Sequence, residues 1–145
     1  MTNLDLSISC FLKNGFNLKK HLIDFLHIND DQLDQRLING VDDLAALHPG
    51  AFTEKNAGDF YEEEVGDAHL IDLASWHLNS SNYIADTLRL QQKFAFGKVL
   101  DFGGGIGTHA LAASFLPDVE HVWFVDLNPQ NRSFVEHRSE ELGIE

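Results

Sequence analysis

The chain has 145 residues, 43% of them hydrophobic and 23% charged, and its 23 acidic against 10 basic side chains give a formal net charge of −13. This is a globular composition with length enough for a sizeable core, because folding at this size hides roughly 70% of the unfolded surface. The negative field repels phosphate backbones and so excludes nucleic acid as an expected partner, and no apolar run approaches the ~18 residues of a membrane span.

The N-terminal "MTNLDLSISCFLKNG" lacks the basic start and unbroken apolar stretch of a signal peptide, so a cytoplasmic protein is expected. Cys10 is the only cysteine. It rules out an intrachain disulfide and reads as a buried, inert thiol. Up to Lys98 the pattern is helical throughout. "NLKKHLIDFLH" sets Leu18, Leu22, Phe25 and Leu26 at helical spacing. "NDDQLDQRLING" opens on Asn29, carries Gln32 at the capping-box position, and is expected to stop at Asn39-Gly40. A short helix from Val41 to Leu47 should follow, and then "AFTEKNAGDFYEEEVGD" reads as a connecting loop. The acids of "INDDQLDQ" and "DFYEEEVGD" read as solvated faces. From Asp67 to Phe94 the helical pattern returns, broken at "NSSN", where Ser80 or Ser81 suits a cap and Tyr83, Leu90 and Phe94 share a face. Residues 1–60 are thus expected to form a helical cap, and residues 61–97 connecting helices.

From residue 98 to 145 the period changes. "KVLDF" reads as a short strand, "GTHALAASFL" as a helix, "HVWFVDL" as a strand buried on both faces, and "NPQNRSFVEHRSEELG" as a second helix. Asn128 fits its N-cap, Pro129 its first position, Gly143 its C′ position, and Phe134, Val135, Arg138 and Leu142 one face. A βαβα unit with tight links implies parallel strands and a right-handed crossover. The expected class is α/β: a helical N-terminal region and then the opening of a Rossmann-like, doubly wound parallel sheet. Such a sheet needs further strands, so the chain reads as truncated at "IE", or as completed by something else.

The turn "DFGGGIGTHA" between the first strand and helix invites a ligand. Glycine there permits positive φ and close backbone approach. Gly105, Gly107 and Ala110 fit the dinucleotide spacing G-x-G-x-x-A, so the glycines alone do not choose the ligand. Asp101 discriminates. A carboxylate about 4 Å from an ammonium gains roughly 4 kcal/mol at an effective dielectric of 20 before desolvation, and is unfavourable toward a phosphate by a similar amount. Asp126, 23 residues beyond Gly103, can accept two vicinal hydroxyls of a ribose.

"VLDFGGGIGTHA" followed by "VWFVDLN" resembles the first two motifs of class I S-adenosylmethionine-dependent methyltransferases, a D-x-G-x-G-x-G turn and an acid closing the second strand. The resemblance covers Val99 to about Gly143. It implies that Gly103, Gly105 and Gly107 back onto the methionine and ribose of the cofactor, that Asp101 neighbours its amino group, that Asp126 accepts the ribose hydroxyls, and that Leu127 flanks the adenine. The implied activity is methyl transfer from S-adenosyl-L-methionine to an unidentified acceptor, expected to be a small molecule although the pattern does not separate it from a protein. Such transfer needs chiefly alignment, so no obligatory catalytic signature exists to search for.

His109 is the nearest candidate base in sequence, against the ordinary structural role of a histidine at a helix start. Tyr61, His69, Asp72, Trp76, His77 and Tyr83 are where specificity is sought, with His69 and Asp72 a turn apart as a candidate pair and Trp76 expected to pack in the core with Leu73. Their spacing does not suit a metal. Two other readings stay open: an NAD(P)-dependent oxidoreductase, and a non-catalytic helical module in which an incomplete half-sheet is completed by a partner or a second copy.

Overall fold

Residues 7–48 and 50–144 are described by the structure, a computed structural model. The chain runs as helices α1 (Ile8–Asn14), α2 (Leu18–Leu26), α3 (Asp30–Leu47), α4 (Glu54–Asp59), a π-helical turn (Phe60–Glu64), α5 (Ala68–Asn79) and α6 (Ser81–Phe94). Strand and helix then alternate as β1 (Gly97–Phe102), α7 (Thr108–Ala113), β2 (Val119–Val125) and α8 (Pro129–Glu141). The class is α/β, with β1 and β2 parallel.

Local chemistry explains most boundaries. Asn29 and Gln32 form a reciprocal capping box at the start of α3, as expected. The expected stop at Asn39-Gly40 is overturned, because α3 continues unbroken to Leu47. Gly40 is buried, and a Cβ there would lie 3.1 Å from Ile71 Cγ2 of α5. Close helix crossing, rather than termination, therefore uses this glycine. Its propensity penalty of about 1 kcal/mol is outweighed by packing. The expected loop at residues 51–67 is also corrected: Thr53 and Asn56 build a second capping box for α4, and the π-helical turn follows it.

The break between α5 and α6 falls at Ser80 as expected, though Ser80 occupies the N-cap position without a side-chain bond. Tyr83, Leu90 and Phe94 do share a face of α6, but it looks outward, while Ile84, Ala85 and Leu88 are buried. Trp76 is likewise 47% exposed, not in the core. Cys10 is half-buried rather than buried. In α8 the expected signals hold: Asn128 accepts from Gln130 N, Pro129 opens the helix, and Phe134, Val135, Arg138 and Leu142 are all buried.

The strands pair Val99 with Val122, Asp101 with Phe124 and Phe102 with Val125. Alternation divides the sheet. Val99, Asp101, Val122 and Phe124 are half-buried on the face that α7 covers. On the other face Leu100 is 58%, Phe102 81% and Trp123 46% exposed, so the expectation that β2 is buried on both faces is not met among the described residues. A groove of ≈ 550 Å³ runs beside β2 between α7 and α8, with Phe115, Val122, Phe124 and Val135 in its walls.

Two clusters form the core. One joins Phe11 and Phe16 to Ile84, Leu88, Leu111 and Leu142; the other joins Leu18, Leu22 and Leu33 to Leu70, Ile71, Ile106 and Phe134. Each draws on all three stretches, 1–60, 61–97 and 98–145, so the N-terminal helices share their core with the strand-bearing part. No helix among the described residues is long and apolar enough to cross a membrane.

Candidate functional site

The ends of β1 and β2 lie side by side, and the glycine turn between β1 and α7 folds over them. Gly103 N and Gly104 N both donate to Val125 O, at 2.7 and 3.2 Å, and Gly107 N donates to Gly104 O at 2.9 Å. The turn is thereby tied to the neighbouring strand and to itself. Gly103 has a φ of +68° with open space where a Cβ would stand. Gly104 is more constrained: a Cβ would sit 2.5 Å from Phe124 Cε2 and 2.7 Å from Asp101 Oδ2. A Cβ at Gly105 would lie 2.8 Å from Leu73 Cδ1 of α5, and one at Gly107 2.7 Å from Val135 Cγ2 of α8. Part of the demand for glycine is thus set by packing from behind the turn.

Asp101 points to the α7 side, half-buried, and its Oδ2 accepts from Ala110 N at 3.1 Å. Burial raises its pKa above the usual carboxylate range, Asp126 adds to this, and His109 and the Ala110 N–H oppose it. Among the described residues no lysine or arginine pairs with it.

Asp126, immediately after β2, is the hub of the site. Its Oδ2 accepts from Gly105 N at 2.8 Å, and its Oδ1 accepts from Asn128 N at 2.9 Å and from Asn131 Nδ2 at 3.3 Å. Arg132 Nη1 donates to the carbonyls of Asp126 and Leu127, at 2.7 and 2.8 Å, and Leu127 leaves its side chain 50% exposed. One carboxylate therefore fixes both the glycine turn and the start of α8, with lone-pair capacity to spare, since two oxygens offer about four acceptor sites.

The histidines fall into two groups. His109 Nε2 lies 2.8 Å from Thr87 Oγ1, and its pKa is lowered by burial against the pull of Asp101. His77 Nδ1 lies 3.2 Å from Thr108 Oγ1, and burial holds its pKa at about 4. Both are engaged with α6 and α7 behind the turn. His69 stands on the Asp126 side instead. Its Nδ1 accepts from Asn131 Nδ2 at 3.2 Å, and Asp72, the expected partner, acts on it through its charge. Tyr61 packs on His69 with ring centroids 5.1 Å apart, while Trp76 and Tyr83 meet each other at 5.9 Å. Among the described residues no group of three or more His, Cys, Asp or Glu side chains is placed to hold a metal ion.

The structure brings Asp101, Gly103, Gly105, Gly107 and Asp126 into one turn, with Leu127 at its rim. Sequence reasoning passed over Gly104 and Asn131. Asn131 had a signal, because it precedes Phe134, Val135 and Arg138 at the spacing of their helix face. Comparison with protein-family models, curated proteins and solved structures finds no match to this chain.

Proposed function

We propose that the chain carries the cofactor-binding turn of an S-adenosyl-L-methionine-dependent methyltransferase, on the opening strands of a Rossmann-like, doubly wound sheet. The observation that carries this reading is the pair of carboxylates at the ends of adjacent parallel strands, Asp101 and Asp126, with the glycine turn bonded to Asp126 through Gly105 N. A half-buried carboxylate with raised pKa and, among the described residues, no lysine or arginine paired with it suits an ammonium, which would relieve its desolvation. Open space at Gly103 suits close backbone approach.

When bound, the cofactor supplies a methyl group on a sulfonium. The chain's own residues bind and orient: Asp101 receives the amino group, the remaining lone pair of Asp126 Oδ2 receives a ribose hydroxyl, Gly103 to Gly107 form the floor, and Leu127 flanks the adenine. The methyl acceptor is a small molecule in this reading. Alignment provides most of the acceleration.

The Asp101–Ala110 bond disfavours the dinucleotide reading. It places an anion on the α7 amide that a pyrophosphate would seek, and like charges there repel. Calorimetric titration tests the choice. S-adenosylhomocysteine should bind saturably and NAD should not, and Asp101→Asn should weaken the first by about tenfold, the effect of one charge-assisted contact. Selective NAD binding, indifferent to Asp101→Asn, would establish the oxidoreductase reading instead. A folded chain that binds neither but self-associates with concentration would favour the non-catalytic module.

A further inference from the structure

We propose that Asn131 and His69 act together as positioning residues for Asp126, and that the neutral form of His69 is what holds the Asp126 carboxylate in its ligand-receiving orientation. The inference rests on the reading of Asp126 as a ribose acceptor. Its basis is a polarity constraint within three side chains.

Asn131 is completely buried, and its Nδ2 donates to both Asp126 Oδ1 (3.3 Å) and His69 Nδ1 (3.2 Å). Facing a carboxylate, the amide must present its NH2 group; the same group then faces His69, so Nδ1 must be an unprotonated acceptor and the ring proton must sit on Nε2. Asn131 Oδ1 is buried with no hydrogen-bond partner, so nothing on that side retains the amide. Its orientation is decided by His69 and Asp126 alone.

Protonation of His69 reverses the preference. An Nδ1–H would call for Oδ1, and turning the amide over satisfies that oxygen but sets it against Asp126 Oδ1. Asp126 then loses a donor and gains a repelling dipole, and the displacement is felt at Gly105 N through Oδ2. The charged and titratable groups around His69 are Asp72 on α5, Asp126 after β2, and Tyr61 of the π-helical turn. Burial lowers the His69 pKa, while Asp126 and Asp72 raise it, burial being the larger effect. The folded, ligand-ready state therefore favours neutral His69, and ligand affinity is lost as pH falls through its pKa.

The test follows the Gly105 amide by NMR and S-adenosylhomocysteine affinity by calorimetry, from pH 8 downward, in the unmodified chain and in His69→Gln. Glutamine retains an acceptor for Asn131 but does not titrate. In the unmodified chain the Gly105 amide should shift with the His69 titration, and affinity should fall by up to about tenfold per pH unit below that pKa. In His69→Gln both responses should flatten, with affinity at pH 8 preserved. A Gly105 amide that ignores His69, or an undiminished pH response in His69→Gln, overturns the proposal. Absence of binding at every pH while Gly105 still follows His69 overturns the cofactor reading alone.

Discussion

Gly103 and Gly104 stand next to each other and are glycine for different reasons. At Gly103 only the backbone conformation resists a side chain, and a left-handed residue with a Cβ costs about 1–2 kcal/mol. At Gly104 the obstacle is contact: Phe124 and the Asp101 carboxylate leave no room for a methyl group. Gly103→Ala should therefore lower stability by about 1–2 kcal/mol with the turn intact. Gly104→Ala should lower it by about 1–3 kcal/mol and also displace Asp101, since overpacking forces neighbours to move. Urea denaturation measures the first effect. The Ala110 amide shift in NMR reports the second, because that amide donates to Asp101. Equal behaviour of the two variants would show that the contacts at Gly104 are unimportant. Asp101 and Asp126 are visible as acids after apolar strands, but the internal donors on Asp126 come from residues 105, 128 and 131, which only folding collects.

Among the elements, the sheet is the one whose sequence and surroundings disagree. "HVWFVDL" has the continuous apolar character of a strand covered on both sides, yet α7 covers one face and the described residues leave Leu100, Phe102, Trp123 and Val125 exposed on the other. Burial, rather than hydrophobicity, sets the contribution to stability. Phe102→Ser should accordingly change the unfolding free energy by no more than about 0.5 kcal/mol, as for an exposed site. Leu111→Ala, in the first core cluster at 3% exposure, should lose about 2–5 kcal/mol. Chemical denaturation of the two variants side by side decides it, and a Phe102→Ser loss comparable to that of Leu111→Ala would mean that the face is covered in solution. Helix boundaries obeyed local chemistry wherever a side-chain cap exists, at Ser7, Asn29, Thr53 and Asn128. They departed from it at Gly40, where a residue that commonly ends helices is used for its missing side chain.

Across the whole molecule, one side chain joins the ends of the chain to the site. Arg138 of α8 is fully buried, with burial lowering its pKa to about 9, and among the described residues no carboxylate pairs with it. Its Nη1 donates to Ile106 O inside the glycine turn at 2.8 Å, and its Nη2 to Gly15 O at 2.9 Å and Phe16 O at 3.4 Å. Gly15, Phe16 and Asn17 are all left-handed, and Phe16 is a buried aromatic at φ +57°. Such a run is strained and persists only where its surroundings fix it. Arg138→Ala removes those donors and opens a void, and the expected loss is about 3 kcal/mol or more by urea denaturation. A loss under about 1 kcal/mol would show that the carbonyls find water and that the turn holds itself.

The sequence alone determined the elements whose causes are local: the capping box of α3, the break at Ser80, the proline start of α8, and the strand–glycine–helix–strand order that places two acids near one turn. Each depends on residues within a few positions of one another, so the signal survives without the fold. Tertiary structure decided what depends on distant neighbours. It ran α3 through Gly40, turned Tyr83, Leu90 and Phe94 outward, left Leu100, Phe102 and Trp123 exposed among the described residues, and set His69 against Asn131. Burial and hydrogen-bond polarity are properties of the assembled neighbourhood, and residues 62 apart in the chain, such as His69 and Asn131, acquire theirs only on folding.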